Sequence, residues 1–185
     1  MSPFPIFPGS QSAQGALVPL GTYKTVAGDS ATIVFNNIPQ LYQDLFIVVS
    51  GGSGIGGVAA GGTIYVNNQG NNTTYTNTSI VGNGSTTTST RNATPYGFNI
   101  GLPTTSLPSS IVSSTTAHML NYTSTTSFKQ FMNRTALDAN GTGSTIFASQ
   151  QHTLTPGVTR LDFVCSGGWY AHTTFAIYGV RSIRQ

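Results

Sequence analysis

The chain has very few ionisable side chains. Of its 185 residues only 6% are charged, glutamate is absent, and four aspartates stand against seven lysines and arginines. In ordinary globular proteins roughly a quarter of the residues are charged. The seven cations are scattered and form no basic run, so the net charge of +3 gives no reason to expect a nucleic-acid partner, which requires clustered phosphate contacts.

Cysteines and long apolar runs are equally scarce. Cys165 is the only cysteine, which excludes an intramolecular disulfide and a cysteine-based metal site, and its alternating context predicts a small buried side chain. No apolar run reaches the length of a transmembrane helix, so no membrane partner is expected. The N-terminus has neither the basic region nor the apolar core of a signal peptide, and we expect the chain to fold in a cytoplasm.

The shortage of acids and bases leaves little for catalysis. His118, His152 and His172 are far apart in sequence, and no Gly-x-Ser-x-Gly elbow lies between a strand and a helix. The aspartates show no spacing that would pair them for glycoside hydrolysis. The glycine-rich segment 51–62 lacks the Lys-Ser/Thr of a phosphate-binding loop. We therefore expect no enzyme activity, no cofactor and no metal.

The chain is rich in Thr, Ser, Gly and Asn, which suit pleated strands and turns better than helix interiors. With 38% apolar and 10% aromatic residues it can still bury a core. Its alternating pattern predicts an all-β fold of roughly eight to ten strands, an antiparallel β-sandwich of the jelly-roll type. The expected strands are 22–26, 31–36, 45–50, 63–68, 117–123, 127–133, 144–149, 159–165 and 172–180, with weaker ones near 96–100 and 110–113 and a polar hairpin region over 67–83.

A proline-rich segment precedes the first expected strand. Four of the nine prolines fall within residues 1–20, where they favour an extended chain that cannot join a central strand. We therefore divide the chain into an extended arm, 1–20, and a single β-sandwich domain, 21–185. Disorder is one alternative for the arm, and docking on a neighbouring subunit is the hypothesis we favour, because its apolar side chains are costly to leave in water. The docking residues would be Phe4, Ile6, Phe7, Leu17 and Val18.

Trp169, Tyr170 and His172 form the best candidate for ligand recognition. They follow Gly167-Gly168, which places them at a strand end or in a loop. Flat aromatic faces stack on sugars, and Tyr and Trp also anchor protein interfaces. The alternative is that Trp169 packs under the rim of the sandwich.

Four segments resemble virion proteins of tailed bacteriophages that contain a β-sandwich domain. They are Ile33-Val-Phe35 with Asn37-Ile-Pro39, Tyr42 and Asp44-Leu45; Ile64-Tyr-Val-Asn67; Asn121-Tyr122; and Ile177-Tyr-Gly179. The first segment, with its pattern F-x-x-I-P-x-x-Y-x-D-L, carries most of the resemblance. Related domains often have an arginine just after the second strand, whereas this chain continues with Ser50-Gly51 into further glycines.

The resemblance implies a structural or adhesive virion component rather than a catalyst. We expect a capsid decoration or cement protein, or an accessory head or tail subunit, on the particle exterior. It would be a homo-oligomer, with a trimer favoured, and its partners would be other virion proteins. The alternative is a tail-fibre or receptor-binding protein that recognises a host surface glycan through Trp169 and Tyr170. The lone domain with an arm favours the first hypothesis, because a fibre normally carries a longer shaft.

Overall fold

The computed structural model describes residues 16–53, 60–70, 73–92, 97–102, 112–138 and 143–181. All the regular secondary structure in these residues is β-strand. None of the described residues therefore belongs to a helix that could cross a membrane. The twelve strands in this part of the chain are β1 (Leu17–Lys24), β2 (Thr32–Phe35), β3 (Asp44–Gly51), β4 (Ala60–Val66), β5 (Tyr75–Gly82), β6 (Thr87–Asn92), β7 (Phe98–Leu102), β8 (Ser113–Leu120), β9 (Lys129–Asp138), β10 (Gly143–His152), β11 (Leu161–Val164) and β12 (Thr174–Val180).

The strands form two antiparallel sheets with the strand order of a jelly roll. The large sheet runs β1-β12-β3-β8-β9-β10-β5-β6, and the small sheet runs β2-β11-β4-β7. Eight strands remain when the β5–β6 and β9–β10 hairpins are set aside. Numbered 1 to 8 in chain order, these strands form one sheet in the order 1-8-3-6 and a second sheet in the order 2-7-4-5. This is the strand order of a jelly roll. The predicted all-β sandwich of the jelly-roll type is therefore confirmed. The two hairpins widen the large sheet beyond the small one.

Side-chain alternation along the strands builds the core between the sheets. In β3, Leu45, Ile47 and Val49 point inward and are buried, whereas the residues between them face outward. Rings from both sheets meet in the middle: Phe98 of β7 stacks on Phe131 of β9 with centroids 4.5 Å apart. Such aromatic pairs add to the stabilisation that burial alone provides.

One of the two edges of the small sheet, β7, is closed by side chains of the large sheet. At β7, Gln150 accepts a hydrogen bond from the Asn99 N–H at 2.7 Å and donates one to the Asn99 carbonyl at 3.0 Å. Asn133 donates to the same carbonyl at 3.2 Å, and Thr115 donates to the Gly101 carbonyl at 3.0 Å. All three of these side chains are buried. They explain why polar residues occupy inward positions of β8, β9 and β10, since they pair backbone groups that an edge strand leaves unpaired.

The boundary predicted between an arm and the domain at residues 20 and 21 is corrected by the structure. Residues 17–20 belong to β1, which pairs with β12 from Leu17 onward. Pro19 is tolerated because β1 is an edge strand and its register shifts between Pro19 and Gly21, two settings in which a strand accepts proline. Within the described residues, the β-sandwich thus begins at Leu17.

The polar middle of the chain holds more strands than its pattern indicates. The weak strand expected near 96–100 corresponds to β7, and the one expected near 110–113 overlaps only the start of β8, since residues 103–111 are outside the described part. The hairpin region expected over 67–83 contains one strand, β5, whose hairpin partner is β6. The sequence does not predict β6 because all six of its residues are exposed and polar, so no alternation marks it.

Candidate functional site

Trp169 lies in the core rather than at the surface. Its side chain is 8% exposed, its ring meets Phe175 edge-on with centroids 4.9 Å apart, and its indole N–H donates to the Ala31 carbonyl at 3.2 Å. A ring packed in this way offers no open face to a sugar. The predicted ligand contact of Trp169 is therefore corrected to the alternative, packing under the rim of the sandwich.

The loop that carries Tyr170 and His172 is fixed by two buried threonines. The Thr25 hydroxyl donates to the Tyr170 carbonyl at 2.6 Å, and the Thr173 hydroxyl donates to the Gly52 carbonyl at 3.1 Å. The His172 N–H donates to the Thr25 carbonyl at 2.8 Å, and its backbone is left-handed, with φ 71°. Tyr170 is half-buried and His172 is exposed, so both remain at the surface. The indole ring of Trp169 does not share this surface, because it is buried.

The segments that carry the resemblance meet at one end of the sandwich. The Asp44 carboxylate accepts a hydrogen bond from the backbone N–H of Asn121 at 2.7 Å. The hydroxyl of Tyr122 donates to the Pro39 carbonyl, which lies 83 residues away in sequence. The first and third segments thus hold each other through contacts between a side chain and the backbone.

The other two segments join the same corner. The ring of Tyr42 lies so close to Gly179 that a Cβ at that glycine would come within 2.3 Å of it. The Asn67 side chain accepts hydrogen bonds from the backbone N–H groups of Thr159 and Arg160 and donates one to the Gly157 carbonyl. Every motif residue in these contacts has a structural partner, so the motifs define a corner of the fold.

The buried Lys129 holds two loops together, the one between β8 and β9 and the one between β10 and β11. Its side chain is fully buried, and its ammonium group donates to the carbonyls of Ser124, Ser127 and Thr155. Burial lowers the pKa of Lys129. The three carbonyls explain why the fold retains a lysine at an inward position of β9, because each of these partly buried acceptors would otherwise lose its ammonium donor.

His152 is a second buried base. It is 2% exposed, and its ring lies beside those of Tyr75 and Phe98, with centroid distances of 4.4 Å and 6.4 Å. Burial lowers the pKa of His152 to about 4, and the charge of Lys129 adds to this shift. The imidazole is therefore neutral in the folded protein at neutral pH.

Two further carboxylates are also tied into the fold. Arg160 forms a two-pronged ion pair with Asp162, in which Nη2 lies 2.6 Å from Oδ1, and this pairing raises the pKa of Arg160. Asp29 accepts hydrogen bonds from the Tyr23 hydroxyl and the Val26 N–H, and the first of these bonds raises the pKa of Tyr23. Among the described residues, no three His, Cys, Asp or Glu side chains are grouped so that they could hold a metal ion.

The outer face of the large sheet carries a band of partly exposed apolar side chains. Cross-strand pairing places Phe46 opposite His118 and His118 opposite Met132. In the next row of side chains across the strands, Phe147 of β10 lies opposite Ile80 of β5. Met132, Phe147 and Ile80 are 40%, 48% and 50% exposed. We call these five residues the outer stripe.

A shallow hollow of about 280 Å³ lies within the outer stripe. Its walls include the apolar side chains of Phe46, Met132 and Phe147, together with Thr116 and Arg134. Exposed apolar side chains grouped among polar ones, as Phe46, Met132 and Phe147 are with His118 and Arg134, are a feature of interaction sites. The sequence contains one signal for it, because the run Leu45–Val49 is apolar at outward as well as inward positions.

The predicted docking residues fall into two groups. Leu17 and Val18 belong to β1 instead of an arm, and the Leu17 side chain is 44% exposed. Phe4, Ile6 and Phe7 lie outside the described residues.

No protein-family model, curated protein or solved structure matches the chain. Its function is therefore inferred from its own residues and their geometry.

Proposed function

We propose that the protein is a non-enzymatic structural protein of a tailed-bacteriophage virion. It is a capsid decoration or cement subunit, or an accessory head or tail subunit, on the particle exterior. The observation that carries this proposal is the outer stripe, whose Met132, Phe147 and Ile80 are each 40–50% exposed in a protein with few charges. Burial of this surface against a neighbouring subunit would remove apolar area from water and stabilise an assembly.

Fold and sequence support the same class of protein. Jelly rolls occur in viral capsid proteins as well as in lectins and cupins, so the architecture alone does not select a function. The resemblance, which rests mostly on Ile33–Leu45, favours a virion protein among these classes. Partners would be other virion proteins, and the favoured oligomer is a trimer.

The use of the ionisable groups supports a structural role. Asp44 binds a backbone N–H, Asp162 pairs with Arg160, and Lys129 binds three carbonyls. A general acid or base must reach the proton that it transfers, whereas these groups are engaged by the fold itself. The glycan-binding alternative loses its leading residue, because Trp169 is buried.

The proposal is tested by locating the protein in purified particles. Immunogold labelling and quantitative mass spectrometry should find it on the exterior, in a copy number set by the symmetry of its attachment site. Its absence from particles that are otherwise complete would contradict the proposal.

A pair of matched variants links the location to the outer stripe. Met132→Thr with Phe147→Thr removes apolar surface while keeping a residue suited to strands. We expect this variant to be folded but lost from particles. Val34→Thr is the control, since Val34 is 38% exposed on the outer face of the small sheet, and we expect it to be incorporated like the wild type. Equal incorporation of all three proteins would show that the outer stripe is not the attachment surface.

A further inference from the structure

We propose that the hollow in the outer stripe binds a carboxylate that lies beside an apolar side chain on the surface of a different virion protein. This inference rests on the proposed function and deepens it, because it names the chemistry of the partner that the outer stripe meets. Three features carry it: the apolar surroundings of Arg134, the distance of its guanidinium group from any carboxylate of the same chain, and the shortage of suitable carboxylates on a second copy.

Arg134 is an exposed cation among apolar side chains. Cross-strand pairing places it between Phe147 of β10 and Thr116 of β8, and Met132 precedes it on the same face of β9. All four residues line the hollow, together with Phe46. Apolar walls lower the local dielectric constant, so they strengthen the attraction between a guanidinium group and an anion. The hollow thus offers a cation and apolar contact area side by side.

The charge of Arg134 is not compensated by the carboxylates on its face of the sheet. Asp44 is engaged by His118, whose Nε2 lies 3.2 Å from its carboxylate, and strand register puts Asp44 about 17 Å from Arg134. Asp138 lies four residues along β9, at about 14 Å. Both distances exceed the Debye length of about 8 Å at physiological ionic strength, so these interactions with Arg134 are largely screened. No ion pair between described residues includes Arg134.

The shape of the hollow suits side chains of a protein surface. Its volume of about 280 Å³ is below the range of about 300–1,000 Å³ that is usual for small-molecule pockets. Arginine presents a planar fork of donors that matches a carboxylate in a two-pronged contact. Arg134 and Met132 are two residues apart on one strand, so their positions are about 7 Å apart. The carboxylate and the apolar group of the partner must therefore be close neighbours.

A second copy of this chain has few side-chain carboxylates to offer. The sequence contains four aspartates and no glutamate. Asp44 and Asp162 are buried, and Asp29 accepts two hydrogen bonds within its own turn. Of the four, only Asp138 is exposed.

Asp138 lacks the apolar neighbour that the hollow requires. The preceding residue on the same face of β9 is Ala136, and the residue opposite Asp138 on β10 is Gly143. Neither has a side chain large enough to cover Met132 and Phe147 while the carboxylate meets Arg134. A different protein therefore fits the hollow better than a second copy does.

Methyl NMR spectroscopy of the full-length protein at low ionic strength tests the proposal. With ¹³C-methyl methionine, Met132 reports on the hollow and the fully buried Met119 is the internal reference. The probes are 3-phenylpropionate, which carries a ring beside a carboxylate, and 3-phenylpropanamide, its uncharged analogue. We expect both to shift the Met132 resonance and the carboxylate to bind at least about fivefold more tightly. The Met119 resonance should not move.

Two arginine variants identify the cation that is responsible. Arg134→Gln keeps a long polar side chain without the charge, and it should reduce the affinity for the carboxylate to that for the amide. Arg91→Gln is the matched control, because Arg91 is exposed on the same face of the sheet but lies among polar residues such as Thr78 and Ser149. This variant should keep the preference of the wild type.

Equal affinities of the two probes for the wild type, or a Met132 resonance that responds to neither, would overturn the inference. An unchanged preference for the carboxylate in Arg134→Gln would do the same. Sedimentation velocity should give the same number of subunits for the wild type and Arg134→Gln. A smaller number in the variant would also overturn the inference, because the outer stripe would then meet a second copy. The location of the protein in particles is measured separately, so a failed titration of a protein found on particles contradicts this inference and not the proposed function.

Discussion

Substitution of His152 by phenylalanine should make the fold less sensitive to acid. The imidazole is 2% exposed, and burial lowers its pKa from 6.5 to about 4. A base whose pKa is lower in the folded than in the unfolded state contributes its full stability above pH 6.5. That contribution is lost as the pH falls towards 4, because the unfolded chain then binds a proton that the folded chain binds less readily.

The two pKa values set the size of the effect. Linkage between 6.5 in the unfolded chain and about 4 in the folded protein predicts a loss of at most about 3 kcal/mol between pH 8 and pH 4. This is a large share of the 5–15 kcal/mol that stabilises a typical domain. Phenylalanine should fit the site at neutral pH, since the ring of His152 packs against Tyr75 and Phe98 and neither of its nitrogens has a hydrogen-bond partner among the described residues.

Urea unfolding measured from pH 8 to pH 4 provides the assay. Trp169 is the only tryptophan and is buried, so its fluorescence reports on the core. All other residues are the same in the two proteins, so the difference between wild type and variant isolates His152. We expect the wild type to lose about 2–3 kcal/mol more than His152→Phe. His172→Asn is the control: it removes an exposed histidine at a left-handed position that asparagine tolerates, and it should follow the wild type. Equal losses in wild type and His152→Phe would refute the reasoning.

Three further substitutions test the packing of the fold. Gly179→Ala should cost about 1–3 kcal/mol, because its methyl group would come within 2.3 Å of the Tyr42 ring. The cost should fall by at least about 1 kcal/mol in a Tyr42→Ala background, and additivity in this double-mutant cycle would argue against the contact. Lys129→Met should cost about 3 kcal/mol or more in chemical denaturation, since three carbonyls lose their donor, whereas exposed Lys24→Met should stay within about 0.5 kcal/mol. Trp169→Ala should cost about 3–5 kcal/mol by calorimetry, and a variant as stable as the wild type would contradict its place in the core.

The sequence predicts the strands that carry a local apolar pattern and misses the one that does not. β8 and β12 can be recognised from alternation in their own residues, and β3 from the continuous apolar run Leu45–Val49. β6 consists of six exposed polar residues and becomes a strand only because β5 pairs with it. The jelly-roll class follows from many short strands and turns, whereas the addition of two hairpins to one sheet depends on pairings between segments far apart in the chain.

The candidate site also combines features that the local sequence predicts with features that depend on distant residues. The glycines before Trp169 correctly indicate a turn near the rim, but the direction of the indole depends on Ala31, 138 residues away, and on Phe175. The outer stripe likewise requires knowledge of strand register, because Phe46, Met132 and Phe147 are neighbours only across β3, β8, β9 and β10. Local patterns therefore identify which side chains face outward but not which of them form one surface.

The sealed edge of β7 determines how copies of this protein can meet at high concentration. An open strand edge recruits strands from other molecules, and the resulting backbone ladders lead to aggregates. At β7 the donor and acceptor of Asn99 are already occupied by Gln150 and Asn133, so this edge offers no template there for a foreign strand. A copy that approaches this edge therefore meets side chains, whereas β1, β2 and β6 are the other edge strands at which backbone pairing with a second copy remains open.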